Sequence, residues 1–229
     1  MKNPKNEPKD LRFAVLATDT VLWTIKDNTL LVRLIPVIVP EFKGLAGLPG
    51  GLLASTETAE EAVLRHLANK SLVSPQKVYL EQLYTFSQVN RDPRGRVVAV
   101  AYSGFVSWDS LSTQERENGG EAWWAPINKL PHLAYDHKNI IQVALERLQS
   151  RITYTTLIAK LMPREFTLTE LETAYESILE KEIDKRNFRK KIKGLGLLKK
   201  LNKERRGQKF RPAKLYSFIS SDVRTIEVL

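Results

Sequence analysis

The chain has 229 residues, 42% of them hydrophobic, which is enough core for two modest domains. No apolar run reaches the ~18 residues of a membrane span, so no membrane partner is expected. The absence of cysteine excludes disulfides and thiolate zinc sites and agrees with a reducing cytoplasm. The net charge of +10 excludes an acidic protein, and its crowding into the last third points to a polyanionic partner.

Met1 to Asp10, rich in Lys, Asn and Pro, reads as a disordered tail (1–10) and not as a signal peptide. Leu11 to Ile25 and Thr29 to Val39 read as strands joined by the turn Lys26-Asp27-Asn28. Arg33 and Pro36 interrupt the second strand's apolar character. Pro40 to Gly51 reads as a loop because Gly44, Gly47, Pro49, Gly50 and Gly51 are strong breakers. A helix follows, capped by Thr56 or Thr58, with Glu60 and Glu61 in its first turn and Ala59, Ala62, Val63 and Leu67 on its apolar face. Val78 to Ser87 and Val97 to Trp108 are strand-like around the turn Arg91 to Gly95. Gly119 to Asp136 reads as irregular, and a helix covers His137 to Ser150. Strands interleaved with two helices make residues 11–150 an α/β domain.

Residues 151–229 change character. Helices are expected over Tyr154 to Leu161, after the capping box Thr167-x-x-Glu170, and from Asp184 to Gly194. Leu197 to Asn202 and Lys214 to Ser220 then flank the loop Lys203 to Ala213. Three short helices and a hairpin outline a winged helix-turn-helix. Asp184 to Lys214 holds 14 basic residues against 2 acidic ones, whereas residues 1–150 hold 17 against 16. With Phe188 and Ile192 turned inward, Lys185, Arg186, Asn187, Arg189, Lys190 and Lys193 project from the third helix. Arg189 and Asn187 are candidates to read base edges, and the lysines to meet phosphates. Arg205, Arg206, Lys209 and Arg211 fall on the wing. RNA binding is the alternative, but this region lacks an aromatic platform for single strands.

The stretch Gly51 to Val73, GLLASTETAEEAVLRHLANKSLV, resembles the Nudix box: Gly51, Glu57, Arg65, Leu67 and Val73 match at the right spacing. His66, Asn69 and Lys70 occupy its three remaining Glu positions, and Leu72 replaces its second Gly. Three carboxylates there would hold Mg²⁺ against a diphosphate, so their replacement argues against hydrolysis. No metal site, catalytic residue or cofactor is expected. Lys70 and Arg65 are instead candidates to hold a diphosphate by direct charge. The resemblance implies an N-terminal Nudix-fold α/β/α sandwich with a mixed sheet, followed by the winged helix-turn-helix.

Six further stretches, including Tyr79 to Phe86, Arg91 to Val98, Tyr135-Asp136-His137 and Asp184 to Lys191, resemble the NrtR-type, Nudix-related transcriptional regulators of NAD metabolism. That resemblance implies a cytoplasmic, nucleoid-associated homodimer on a palindromic double-stranded DNA operator near NAD biosynthesis or salvage genes. It also implies a small-molecule effector, typically ADP-ribose, for which Arg94 and Arg96 are candidate phosphate contacts. The alternatives are an active Nudix pyrophosphohydrolase with a fused nucleic-acid-binding domain, and a sugar-responsive regulator of the same architecture.

Overall fold

A computed structural model describes residues 14–117, 122–205, 212–226 and 228. The expected tail and the wing residues Arg206, Lys209 and Arg211 lie outside the described residues. The chain opens with β1 (Val15–Lys26) and β2 (Thr29–Pro36), an antiparallel pair closed at Asp27-Asn28. Both turn residues adopt left-handed backbone, φ 47° and 62°, which Asp and Asn tolerate better than bulkier residues. Next come β3 (Ala46–Gly47), β4 (Gly50–Leu52), α1 (Ala59–His66) and a π-helical turn over Leu67–Ser71. They are followed by β5 (Tyr79–Phe86), β6 (Val97–Phe105), the short α2 (Thr113–Arg116), β7 (Trp123–Pro126) and α3 (His137–Tyr154). Thr58, paired with Glu61 in a capping box, starts α1.

The strands form one mixed sheet in the order β3-β2-β1-β6-β5, with β4 added to β1 and β7 to β2. Only β1 and β6 run parallel among these pairs. Alternate residues of β1 serve two cores. Val21 and Trp23 join Ile141, Leu145 and Leu148 of α3, while Leu22 joins Val63 and Leu67 beneath α1. This is the expected α/β/α sandwich. β3, β4 and β7 correct the expected loop at Pro40 to Gly51 and the expected irregular stretch from Gly119. Each is two to four residues long and exists through pairing with a distant strand.

The C-terminal part contains β8 (Phe166–Thr167), α4 (Leu168–Leu179), α5 (Lys185–Gly194), β9 (Leu198–Arg205) and β10 (Ala213–Phe218), with sheet order β8-β10-β9. The helix expected over Tyr154 to Leu161 is a correction. α3 runs on through Tyr154 and stops because Tyr154, Thr156 and Thr155 bond the backbone of 224–226, leaving a single 3₁₀ turn at Leu157–Lys160. β9 also carries Lys203 to Arg205, which were expected in the loop.

One apolar cluster runs from Val32 and Trp23 through α3 to Tyr175 and Phe188, so the two parts share a core. Polar contacts reinforce the joint: Leu30 N donates to Ser177 Oγ at 3.2 Å, and Gln149 Nε2 donates to the Ile178 carbonyl at 2.9 Å. Among the described residues no helix is long and apolar enough to cross a membrane.

Glu115 locks α2 to the turn before β5, accepting from Ser74 N at 2.9 Å, Ser112 N at 2.6 Å and Lys77 Nζ at 2.6 Å. Burial alone would raise its pKa, but Lys77 and the amides hold it at about 2, below the ordinary 4.5. A depressed carboxyl stabilises the fold above its unfolded value, and that contribution fades as pH falls through the folded one. Glu115→Gln is therefore expected to cost about 2 kcal/mol in urea unfolding at neutral pH. The gap from wild type should close between pH 4.5 and about 2; a constant gap would refute the assignment.

Candidate ligand cavity and nucleic-acid face

A cavity of about 510 Å³ opens between the start of β1, the loop 36–39, β4, the π-turn and the β5–β6 hairpin. Its apolar wall is Ile35 to Val39; its charged side is Lys70, Arg91, Asp92 and Arg94, with Asp19, Tyr135 and His137 also lining it. Close packing shapes the floor: a Cβ on Gly50 would lie 2.2 Å from the Thr18 carbonyl oxygen, so no larger residue fits there.

Three charged side chains and the His137 imidazole form a polar cluster behind this floor. Arg91 donates to both oxygens of Asp136, at 2.9 and 2.7 Å, and to Asp19 Oδ2 at 3.2 Å. The His137 ring lies 3.4 Å from Asp19 Oδ1 through Nε2, while its Nδ1 accepts the Leu48 amide at 3.0 Å. Acceptance at Nδ1 places the ring proton on Nε2, facing Asp19. Burial would raise Asp19, but His137 and Arg91 outweigh it and hold its carboxyl below the usual range.

Of the expected diphosphate contacts, two line the cavity and two do not. Lys70 Nζ donates to the Gly50 carbonyl at 2.5 Å, and burial followed by the neighbouring Arg65 charge lowers its pKa. Arg94 lies at the rim, bonded to Asp92 at 3.0 and 2.7 Å and 5.6 Å above the Tyr135 ring. Tyr135 has φ 53° and packs on Phe42 at 4.3 Å; a non-Gly residue held this way stores strain beside the cavity. Arg65, by contrast, holds Glu57 at 2.9 Å and the Leu52 carbonyl at 3.2 Å, tying the loop before α1 to its end. That contact, through Arg65, pulls the Glu57 pKa down to about 2. Arg96 reaches back to the carbonyls of Ser87 and Gln88 at 2.8 and 3.0 Å and braces the hairpin. Neither Arg65 nor Arg96 lines the cavity.

His66 is buried with Nε2 3.3 Å from the Leu52 carbonyl oxygen, and Asn69 and Lys70 face the cavity. Leu72, where the box pattern has Gly, takes φ 58°, so the position still requires the left-handed backbone that glycine adopts freely. Sequence reasoning assigned no site role to Asp19, Arg91 or Tyr135. A lone carboxylate inside the apolar strand β1 was the available signal for Asp19.

On the opposite part of the molecule, Asp184 caps α5 by accepting from the Asn187 amide at 3.0 Å. Phe188 and Ile192 are buried, with Phe188 5.0 Å from Tyr175. Lys185, Arg186, Arg189, Lys190 and Lys193, at helical spacings of one and four, surround a shallow groove on the outer face. Arg189 and Asn187, the candidates to read base edges, are engaged within the domain in this DNA-free structure. Arg189 is bidentate to the buried Glu172 of α4 and reaches Thr169 Oγ1 at 3.2 Å, and Asn187 Nδ2 donates to Asp184 at 2.8 Å. Arg205, on β9, is bonded to Glu170 and to the Glu165 carbonyl.

Fold and surface together define a Nudix domain joined to a winged-helix head. Residues 15–145 match the model of the NUDIX domain, and residues 158–218 match that of the NrtR DNA-binding winged helix domain. The structure of Shewanella oneidensis NrtR complexed with a 27mer DNA is 35% identical, superposes with TM-score 0.77, and is covered over 93% of its length and 89% of this chain. The NUDIX domain of the same protein complexed with ADP ribose is 36% identical, with TM-score 0.52, over 63% of this chain and 94% of that one. The "ADPR responsive transcriptional repressor NtrR" of Acinetobacter baylyi is 29% identical over 94% of this chain and 86% of that protein. The chain belongs to the NrtR family.

The Glu172–Arg189 pair is asymmetric: the Glu172 side chain is 1% exposed and that of Arg189 42%. Truncating arginine strands a buried carboxylate, whereas truncating glutamate leaves a cation that water can reach. Arg189→Ala should therefore cost about 3 kcal/mol and Glu172→Ala clearly less. The double variant should recover part of the arginine loss; equal and additive costs in a double-mutant cycle would disprove this.

Proposed function

We propose that the protein is an ADP-ribose-responsive transcriptional repressor whose Nudix domain binds its effector without hydrolysing it. The observation that carries this is one continuous core joining a cavity edged by Lys70 and Arg94 to a helix with five basic side chains on its outer face. The division is a sensor over residues 11–150 and a winged-helix head over 151–229, with α3 shared between them. Lys70 and Arg94 take the diphosphate; the wall of Ile35 to Val39 and the Tyr135 ring suit the nucleoside. Arg65 and Arg96 hold the loops that shape the cavity. The relatives that respond to or bind ADP-ribose support this ligand.

Hydrolysis is argued against by Lys70, whose ammonium occupies the face where the box pattern places a metal-holding carboxylate. The protein works in the cytoplasm as a homodimer, because a palindromic operator presents its two half-sites to two heads related by a twofold axis. Its target genes belong to NAD biosynthesis or salvage, as the family resemblance implies. In the complex, α5 enters the major groove, with Lys185, Arg186, Lys190 and Lys193 against phosphates and base edges.

Titrating ADP-ribose into the protein bound to duplex carrying an inverted repeat should release the DNA, while the nucleotide stays intact in Mg²⁺. A complex that persists at saturating ADP-ribose, or rapid cleavage of its pyrophosphate bond, would overturn the proposal. DNA affinity should fall at least about a hundredfold between about 50 and about 200 mM salt, since each phosphate contact releases counterions. A flat salt response would remove the phosphate contacts assigned to α5.

A further inference from the structure

We propose that Arg33, a strand residue outside the cavity, is a positioning residue for the effector site: it holds the π-turn that presents Asn69 and Lys70. The inference rests on the ADP-ribose reading of the cavity.

Arg33 lies in the middle of β2 and is fully buried beneath α1. Its Nε donates to the Ser71 carbonyl at 3.0 Å, while Nη1 and Nη2 have no hydrogen-bond partner among the described residues. The guanidinium lies 5.2 Å over the Trp124 ring, and Trp124 meets Trp108 edge-on at 6.2 Å. Burial pulls its pKa down only to about 10, so it stays charged at neutral pH. A buried cation with two unpaired groups is a poor way to stabilise a core, since apolar side chains of similar volume often do as well or better.

What Arg33 does provide is local. The helix that begins at Ala59 ends in a widened π-turn, where ladder bonds are shifted and backbone carbonyls are left without helix donors. Ser71 Oγ bonds the Leu67 carbonyl at 2.6 Å and accepts the Val73 amide at 3.2 Å, and Leu72 follows in the left-handed region. A leucine stays in that conformation only where its surroundings over-determine it. Arg33 ties the end of this turn to β2 at Ser71, one residue beyond Lys70, and the turn sets where Asn69 and Lys70 meet the cavity. The cost in the core is thus offset by placement of Lys70 at the cavity.

Arg33→Met keeps length and apolar bulk but removes the charge and the bond to Ser71. Its Tm should be no lower than that of wild type, while ADP-ribose affinity by calorimetry should fall about tenfold. A purely structural residue would lose both together. In a Lys70→Ala background the same substitution should cost less than about twofold, because both changes act through one group. Arg33→Lys, which keeps the charge and a donor for Ser71, should restore most of the affinity and serves where the Met variant folds poorly. Unchanged ADP-ribose affinity in Arg33→Met, or an undiminished loss in the Lys70→Ala background, overturns the proposal. Failure of the wild type to bind ADP-ribose strikes the reading of the cavity instead. The role of Arg33 then rests on hydrogen exchange across Leu67 to Val73, which must accelerate in Arg33→Met and, if unchanged, overturns it.

Discussion

The polar cluster of Asp19, Arg91, Asp136 and the His137 imidazole is the constraint on which the rest of the structure hangs. Each member comes from a different place in the chain: β1, the β5–β6 hairpin, the residue before α3 and the first residue of α3. The charges of Arg91 and Asp19 are stable at this burial only because each has its partner, since an uncompensated ion carries the whole desolvation penalty. The cluster therefore fixes the hairpin, the central strand and the start of α3 as one unit. It sets the cavity floor, and it aims α3 across the sheet.

α3 carries that geometry onward. It has 18 residues, crosses the whole sandwich, and ends where its last turn bonds the backbone of 224–226. Its apolar face continues into the core of the winged-helix head, and Gln149 fastens its outer side to the end of α4. α4 in turn holds α5 through Glu172 and Tyr175. No flexible linker intervenes between cavity and recognition helix among these elements. A contiguous packed path of this kind can carry coupling between two sites, and it becomes allostery only when a ligand favours one arrangement over another.

Much of this was legible in the sequence because it is local. The capping boxes at Thr58 and Thr167, the cap at Asp184, the inward Phe188 and Ile192, and the eroded carboxylate positions each follow from spacings of three or four residues. What was not legible depends on contacts far apart in the chain. β3, β4 and β7 are too short to show a period and are strands only because β1 and β2 lie beside them. The break after Tyr154 needs 224–226 as its partner. The partner of Arg189 is hidden from local pattern because Glu172 is 17 residues away on another helix, and Arg33 reads as an interruption in an apolar strand. Charged residues at odds with their surroundings were the visible traces of both interactions, but only the fold shows their partners.

The two positive sites differ in how their charge is held, and that difference suits different tasks. Around α5, Lys185, Arg186, Lys190 and Lys193 are exposed and converge on one groove, an arrangement that suits exchange of counterions for phosphates and is sensitive to salt. In the cavity, Lys70 is partly desolvated and anchored to Gly50, and Arg94 is set by Asp92. Partial burial strengthens attraction to a phosphate and weakens screening by salt. An ammonium neutralises such a group at a fixed point but brings no metal-bound water to attack it, whereas a magnesium ion does both. A site that binds and does not turn over reports concentration through occupancy alone. On the proposed reading, lysine at position 70 would supply recognition without the chemistry that a metal-holding acid supports.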